Sequence, residues 1–322
     1  MAWTERLAMR ALGFLVFLVS IAIGSSLWGF DFFLERLSHF QIQYWVGSLL
    51  LLGLVAASQR RRLLLVGLLC VSILTVNLLT WYLPSNHQST PLLKVFSCNT
   101  WNYNQDYPAI LALVRKENPD IAMFYEVTAP GQQQLDTLTD ILPFSVGRNT
   151  EAVVFTKLDL NGTKVLFNNP KYYNTTIIED LKKGGRSFTV VATHPSSPHS
   201  KEQFLARNEQ LDNLAEYLAG SAAPLIMGGD FNMSMWSPFY HRFVEKSRLD
   251  DARRGFGVVP TWAPMKIRAL PGFLQMWLSV PIDYIFTRSG KFQLHTISMK
   301  AGSFVGSDHL PVIAEIGVSD NS

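Results

Sequence analysis

The pattern of apolar and polar residues divides the chain into two parts. Residues 1–84 contain three spans in which apolar residues occur on every face of a helix, at about 11–30, 40–57 and 63–83. About 20 apolar residues are enough to cross a bilayer as a helix, whereas a surface helix of a soluble protein is apolar on one face only. The pattern therefore predicts a membrane anchor of three transmembrane helices.

The first span also has the features of a cleaved signal peptide, since Arg6 and Arg10 precede it and the small residues Gly24-Ser25-Ser26 lie near its end. Two more apolar spans follow directly, and aromatic residues continue beyond residue 26, which favours a retained helix. Basic residues at 6, 10 and 60–62 predict that these helix ends face the cytoplasm. Three crossings then place the N-terminus in the cytoplasm and everything after residue 83 in the periplasm or extracellular space.

The pattern changes after a polar linker at residues 85–91. From residue 92 to 318, short apolar runs of strand length alternate with segments of helical spacing. Strands are predicted near 92–98, 120–125, 151–157, 163–168, 187–192, 224–227, 282–287 and 310–316, and helices near 106–117, 132–142, 201–218 and 239–246. Such alternation is typical of a layered α/β domain in which one edge of the strands carries the site.

Polar side chains stand at the ends of these predicted strands. Asp230 and Asn232 follow an apolar run and two glycines, and alternate residues of an extended segment project to the same side. Similar positions along the domain hold Asn99, Glu126, His194, Asp283 and the pair Asp308-His309. Each position alone also fits an ordinary turn or the start of a helix, but six such positions together favour a common site.

The residue types indicate a hard metal ion and phosphate chemistry. Carboxylate and amide oxygens are preferred ligands of Mg²⁺ or Mn²⁺, and histidines beside them can protonate or stabilise a phosphoryl oxygen. Such a set suits metal-assisted hydrolysis of a phosphate ester, in which a carboxylate orients the attacking water. The sequence contains no cysteine–histidine cluster of zinc spacing, no Gly-x-Ser-x-Gly elbow and no glycine-rich nucleotide loop.

The charge of the second part argues against a dedicated nucleic-acid binder. Six of the 28 basic and three of the 25 acidic residues lie within residues 1–90, which leaves 22 of each sign for the rest. Proteins that bind nucleic acid usually present a basic surface, because much of their affinity comes from phosphate contacts. A neutral domain still allows a local basic patch, so nucleic acid stays an alternative substrate.

The motifs at the strand ends resemble the endonuclease/exonuclease/phosphatase family, whose members include DNase I-like, neutral-sphingomyelinase-like and inositol-phosphatase-like enzymes. The resemblance spans essentially all of residues 92–318. It implies a four-layer α/β sandwich, with two central mixed β-sheets flanked by helices, and a Mg²⁺-dependent or Mn²⁺-dependent hydrolase acting on phosphoester bonds. The motifs occur in the order Phe96-Ser97-Cys98-Asn99-Thr100-Trp101-Asn102, Pro119-Asp120-Ile121-Ala122-Met123-Phe124-Tyr125-Glu126, Thr193-His194-Pro195, Gly229-Asp230-Phe231-Asn232, Ile282-Asp283-Tyr284-Ile285 and Ser307-Asp308-His309-Leu310-Pro311-Val312.

The resemblance implies roles in catalysis for five of these residues. Asp230 is expected to orient or deprotonate the attacking water. Asn232 and His194 are expected to hydrogen-bond the scissile phosphate. His309, oriented by Asp283, is expected to stabilise the transition state.

The resemblance also implies a metal site, in which Glu126 is the main Mg²⁺ ligand and Asn99 and Asp308 assist. Arg207, on the helix after His194, is a further candidate for a phosphate contact, and the alternative is a plain solvated position on that helix. The additional tyrosine and the basic loops with which many nucleases of the family grip DNA cannot be placed in this sequence.

The segment 262–281 is the least family-like and bears on the substrate. It mixes cationic residues with aromatic and aliphatic ones, a composition suited to a bilayer interface. With Phe273 and Trp277 as substrate-binding residues that contact lipid, the expected phosphoester is a membrane-lipid head group. The alternatives are an ordinary buried loop, a membrane-tethered nuclease acting on DNA or RNA, and an inactive scaffold. The complete set of polar residues argues against the scaffold.

Overall fold

The computed structural model describes residues 3–84, 88–169 and 174–319, and its first part is a group of helices. These helices are α1 (Trp3–Trp28), α2 (Phe32–Ser38), α3 (Gln41–Ala57) and α4 (Arg61–Leu79). α1, α3 and α4 pack around a small apolar cluster that includes Leu15, Val19 and Leu74. Residues 1 and 2 of the predicted anchor and residues 85–87 of the predicted linker lie outside the described part.

Two of the three predicted spans are single helices that are long and apolar enough to cross a membrane, and the third is a bent pair of helices. α1 and α4 are each long and apolar enough to cross. α2 and α3 meet that standard only together, and the pair bends by 63° at the residues between them. The described residues therefore contain two candidate spans, or three when the bent pair counts as one.

The anchor is docked onto the rest of the chain through α2 and through the residues that follow α4, among other contacts. Phe32 of α2 packs edge-on against Phe204, with the ring centroids 5.7 Å apart, and belongs to the same apolar cluster. Beyond α4, the carbonyl oxygen of Trp81 accepts hydrogen bonds from the backbone amides of Gly255 at 3.0 Å and Gly257 at 2.9 Å. α2 and the residues that follow α4 are thus both fixed to the domain that follows.

Two six-stranded mixed sheets form that domain. Its strands are β1 (Thr90–Asn99), β2 (Ile121–Tyr125), β3 (Phe144–Val146), β4 (Val153–Thr156), β5 (Lys164–Asn169), β6 (Asn174–Lys183), β7 (Arg186–Thr193), β8 (Leu225–Asp230), β9 (Asp250–Asp251), β10 (Asp283–Arg288), β11 (Gln293–Ala301) and β12 (Val312–Ser319). The first sheet has the order β11-β12-β1-β2-β4-β3 and the second the order β5-β6-β7-β8-β10-β9. Only the pairs β1–β2 and β7–β8 are parallel among the described strands.

The sheets pack face to face because successive side chains of a strand point to opposite sides. One set, including Val95, Met123, Ile226 and Ile285, forms the core between the sheets. The outer face of the first sheet is covered by α5 (Tyr107–Glu117) and α6 (Ala129–Leu135), and that of the second by α7 (Lys201–Ala219) and α8 (Pro238–Ser247). This arrangement confirms the predicted four-layer α/β sandwich. Two short helices, α9 (Met265–Arg268) and α10 (Gly272–Leu278), precede β10.

Helix α5 shows how the local sequence sets these elements. The Asp106 side chain accepts a hydrogen bond from a backbone amide of the first turn, and Pro108 lies in that turn, where a missing N–H costs little. Ile110 and Val114, one turn apart, are fully buried against the first sheet. Asn118 ends the helix in the left-handed conformation, with φ of +48°.

Strand pairing brings the polar strand ends to one edge of the sandwich. Asn99 ends β1 beside the end of β2, where Glu126 follows, because the two strands run parallel. The parallel pair β7–β8 likewise places His194 near Asp230. Asp283 begins β10 directly opposite Asp230 in the antiparallel pair β8–β10. Side chains from both sheets therefore meet at this edge.

Candidate active site

A cleft of about 760 Å³ opens at this edge of the two sheets. Six of the residues predicted from the sequence line it, namely Glu126, His194, Asp230, Asn232, Asp308 and His309. Asn99 and Asp283 lie directly behind these residues and hydrogen-bond to them. The structure thus gathers eight predicted residues, distant in sequence, into one site.

Asn99 links the carboxylates of the two sheets. Its Nδ2 donates to Glu126 Oε1 at 2.9 Å and to Asp230 Oδ2 at 3.0 Å. Its Oδ1 accepts from the backbone amide of Trp101 at 2.9 Å. In this arrangement the Asn99 oxygen is turned away from the carboxylates, so Asn99 orients Glu126 and Asp230.

Three residues of the site have left-handed backbone conformations that L side chains rarely adopt. The φ angles are +60° at Trp101, +54° at Glu126 and +52° at Asn232. Each such residue costs on the order of 1–2 kcal/mol unless its side chain compensates. Strain of this kind persists where the surroundings hold it, and it often marks functional sites.

His194 is held by Glu151, a residue that the sequence analysis does not assign to the site. The Nδ1 of His194 lies 3.0 Å from Glu151 Oε2, and Glu151 Oε1 accepts from the backbone amide of Thr175 at 2.8 Å. Burial alone would lower the pKa of His194, but the carboxylates of Glu151, Asp230 and Glu126 outweigh it and raise the pKa to about 9. These carboxylates therefore favour the protonated, cationic form of His194.

His309 is the second cation, and Asp283 orients it. The Nδ1 of His309 lies 2.9 Å from Asp283 Oδ2 and 3.1 Å from Asp283 Oδ1, while Nε2 lies 3.5 Å from Asp230 Oδ2. Burial opposes protonation here too, but Asp283 and Asp230 dominate and raise the pKa of His309 to about 10. Both buried imidazoles thus direct Nε2 toward Asp230.

Asp230 lies between the two imidazoles and is only 1% exposed. Burial is the main cause that raises its pKa to about 6, His309 and His194 act against the rise, and Asp283 adds to it. Its Oδ1 accepts a hydrogen bond from the backbone amide of Asn232 at 2.9 Å, which fixes the carboxylate. A carboxylate with a pKa near neutrality is suited to accept a proton from water.

The donor set of the cleft fits a hard divalent cation. Glu126, His194 and Asp230 offer ligand atoms within 4.8 Å of one another. The Asp308 carboxylate accepts a hydrogen bond from Trp262 Nε1 at Oδ2, at 3.0 Å, whereas its buried Oδ1 has no hydrogen-bond partner among the described residues. Burial raises the pKa of Asp308, and a cation beside it would favour the charged form. Glu126 and Asp308 both line the cleft, and their carboxylates could hold Mg²⁺ or Mn²⁺.

The phosphate contact predicted for Arg207 is wrong. Arg207 is fully buried and does not line the cleft. Its Nη2 donates to Glu35 Oε1 of α2 at 3.0 Å, and its Nη1 donates to the carbonyl oxygen of Asn232 at 2.9 Å. A guanidinium committed to these acceptors supports the Asn232 loop from behind, where no substrate can reach it.

Phe273 and Trp277 lie on α10 outside the cleft. Their exposed fractions are 69% and 36%. The carbonyl oxygen of Trp277 accepts a hydrogen bond from Gln43 of α3, so α10 rests against the anchor. The segment that contains α10 reaches the cleft only at its ends, where Trp262 and Val280 line the wall.

Other residues of the cleft were not predicted from the sequence, for different reasons. Glu151 begins a predicted strand, as Asp283 does, so its position carried a usable signal. Arg36 and His39 also line the cleft, but they belong to the short polar stretch between two apolar spans. Nothing in the sequence places that stretch beside strand ends more than 150 residues away.

With this geometry established, the chain can be compared with known proteins. Residues 96–309 match the sequence model described as the Endonuclease/Exonuclease/phosphatase family. The chain belongs to this family. Membership confirms the resemblance that the strand-end motifs show. Members of this family are hydrolases that act on phosphoester bonds. No curated protein is significantly similar to the chain in sequence.

Solved structures share the fold of the second part. TDP2 from D. rerio, complexed with a single-strand DNA product, superposes with a TM-score of 0.57 at 15% identity, covering 70% of this chain and 98% of that one. A family protein from Bacteroides thetaiotaomicron gives 0.54 at 21% identity, covering 73% and 100%. The human Nocturnin catalytic domain with a bound sulfate anion gives 0.52 at 20%, covering 71% and 94%. At these identities the likeness shows the fold alone.

Proposed function

We propose that the protein is a divalent-metal-dependent phosphoesterase that hydrolyses a lipid head-group phosphoester on the outer side of a membrane. The observation that carries the chemistry is the position of Asp230 between His194 and His309, beside the carboxylates of Glu126 and Asp308. This set joins a base, two cations and oxygen ligands in one cleft.

The residues divide the work by their charges. Asp230 accepts the proton of the attacking water, and its raised pKa matches that role. His309, kept protonated by Asp283, donates to a phosphoryl oxygen as negative charge develops there. His194 and the side-chain amide of Asn232 bind the other phosphoryl oxygens. Glu126 and Asp308 would hold a divalent ion, which would supply further positive charge to polarise the phosphate.

The support for a lipid substrate comes from the surface around the anchor. Large apolar side chains are exposed on α1, α3 and α4, as a bilayer-embedded surface requires. Exposed aromatic rings are also present at Phe30 just before α2, at Phe33 of α2, and at Phe273 and Trp277 of α10. Aromatic rings of this kind favour the bilayer interface. α10 contacts α3, and the two ends of the segment that contains α10 form part of the cleft wall. That wall would therefore open close to the lipid head groups.

The orientation of the anchor supports an outward-facing domain. The basic residues at 6, 10 and 60–62 favour a cytoplasmic position for the helix ends that carry them. Because Arg36 of α2 lines the cleft, the middle crossing would belong to α3 alone, whose 17 residues are at the lower limit for a span. Three crossings would then put the cleft in the periplasm or extracellular space.

A tethered nuclease is the second candidate. The observation that favours it is the structural likeness to TDP2 from D. rerio complexed with a single-strand DNA product. Against it stands the neutral formal charge of the domain.

The test uses the full-length protein in detergent micelles with Mg²⁺ and bis(4-nitrophenyl) phosphate, followed by panels of phospholipid, sphingomyelin and single-strand DNA. Asp230→Asn is expected to lower turnover by about 100-fold or more, because it removes the base. Asp159→Asn, at an exposed position away from the cleft, is the matched control and should leave turnover unchanged. Turnover that survives in Asp230→Asn contradicts the site, and preference for DNA over every lipid contradicts the substrate.

A further inference from the structure

The short helix α2 of the anchor forms one side of the cleft. Arg36 and His39, on and just after α2, line the cleft together with the catalytic residues. Arg36 Nη2 donates to the carbonyl oxygen of Pro198 at 2.5 Å, and His39 Nδ1 lies 2.9 Å from Ser234 Oγ. The loops that contain Pro198 and Ser234 are those that follow β7 and β8. α2 therefore bridges the two loops that carry His194 and Asn232.

The position of α2 is fixed by buried contacts. Glu35 is fully buried, and its Oε1 accepts from Arg207 Nη2 at 3.0 Å and from Ser237 Oγ at 2.7 Å. The guanidinium of Arg36 lies 4.0 Å from the centroid of the Phe32 ring, which itself packs into the core. A helix held in this way presents Arg36 to the cleft in a defined place.

Arg36 is a cation without a neutralising carboxylate. Within the described part of the chain, no carboxylate oxygen lies within 4.0 Å of its guanidinium, since the adjacent Glu35 pairs with Arg207. The deep part of the cleft already provides His194 and His309 for the scissile phosphate. Guanidinium groups suit phosphate and carboxylate oxygens, which they bind through paired hydrogen bonds.

We propose that Arg36 is a specificity-determining residue that binds a second anionic group of the substrate. The inference rests on the proposed function, and it narrows the substrate class to phosphoesters that carry a further phosphate or carboxylate beyond the scissile group. The membrane anchor then contributes a side chain to substrate recognition in addition to holding the domain at the bilayer.

The probes are alkanediol bisphosphates with three to six carbons, each compared with the monophosphate of the same length. They are measured as inhibitors of bis(4-nitrophenyl) phosphate hydrolysis and, independently of turnover, by isothermal titration calorimetry on the full-length protein in micelles. In the wild type, at least one bisphosphate is expected to bind about 10-fold more tightly than its monophosphate. Arg36→Gln is expected to abolish that difference, and Arg36→Lys to retain part of it.

Arg242→Gln is the matched control, because Arg242 is an arginine of α8 that does not line the cleft. The inference is overturned if no bisphosphate is preferred, if the preference persists in Arg36→Gln, or if Arg242→Gln reduces it equally. A wild type that leaves bis(4-nitrophenyl) phosphate intact would contradict the proposed function instead. The calorimetric comparison would still decide the role of Arg36 in that case.

Discussion

Glu35 and Arg207 form an ion pair in which neither side chain has any exposed surface, with Glu35 Oε1 3.0 Å from Arg207 Nη2. One partner belongs to the membrane anchor and the other to the long helix behind the active site. Since Arg207 also donates to the carbonyl oxygen of Asn232 at 2.9 Å, the pair connects the anchor to the loop that carries a predicted phosphate ligand.

Glu35→Gln is expected to destabilise the folded chain by about 3–5 kcal/mol, because it leaves the Arg207 charge buried without a counter-charge. The measurement is chemical unfolding of the full-length protein in micelles. The partly exposed pair Glu5–Arg60, at 3.2 Å, provides the control, and Glu5→Gln should cost less than about 1 kcal/mol. Equal effects of the two variants would show that the buried pair contributes no more to the free energy of unfolding than the control pair.

Asp283→Asn is expected to shift the alkaline limb of the pH–rate profile to lower pH. Asp283 raises the pKa of His309, which reaches about 10 with the help of Asp230 and Asp308, so the protonated, donating form persists into the alkaline range. Removing the carboxylate charge lowers that pKa, and His309 then loses its proton at a lower pH. The profile of kcat/KM between pH 6 and pH 10 measures the shift. An unmoved limb in Asp283→Asn would assign the limb to another group.

Glu151→Gln is expected to lower kcat/KM by about 10–100-fold, the usual effect of removing a group that orients a buried histidine. Glu151 is a positioning residue, since it holds His194 Nδ1 at 3.0 Å. The pKa of His194 should fall, and NMR titration of the imidazole is the readout that a purely structural role would not move. Glu151→Asp keeps the charge and should recover part of the pKa shift. An unchanged titration in Glu151→Gln would remove Glu151 from the site.

Mg²⁺ is expected to stabilise the wild type, by about 2.7 kcal/mol at a concentration 100 times its dissociation constant. Glu126→Gln should remove most of this stabilisation, because it removes a charged oxygen ligand. Thermal unfolding with and without EDTA measures the effect without reference to activity. Asp159→Asn should keep the full response. A response that survives in Glu126→Gln would place the metal elsewhere.

The double variant Phe273→Ser and Trp277→Ser is expected to lower hydrolysis of vesicle-embedded phospholipid by more than it lowers hydrolysis of bis(4-nitrophenyl) phosphate. Both side chains are exposed on α10 beside α3, and serine removes their affinity for the interface. Tyr217→Ser, an exposed aromatic position on α7, controls for a general loss of surface rings. Equal rates on vesicles for the variant and the wild type would rule out lipid contact by α10.

Most of the fold and the site were predictable because the information is local in sequence. Apolar runs that end in polar residues mark both the strands and their chemically useful ends, and parallel pairing at β1–β2 and β7–β8 then brings Glu126 and Asp230 to one edge. The order of the motifs predicts the two central sheets, because it matches a family that has them.

The errors concern contacts between distant segments. Arg207 looks like a solvent-facing or ligand-facing residue because its partner Glu35 lies 172 positions away, in a stretch assigned to a loop between membrane spans. The same assignment hid Arg36. Hydrophobicity marks where a chain enters a bilayer, but it does not show that a polar turn of helix folds back onto a catalytic domain.

The catalytic groups come from both sheets, and the Asn99 amide spans the gap between them with hydrogen bonds to Glu126 and Asp230. Neither half of the sandwich therefore contains the complete site. Because interiors are close-packed and respond to small displacements, a slight slip of one sheet over the other would separate base from phosphate ligand while both sheets kept their hydrogen bonds. Competence for hydrolysis is in this sense a property of the contact between the two sheets.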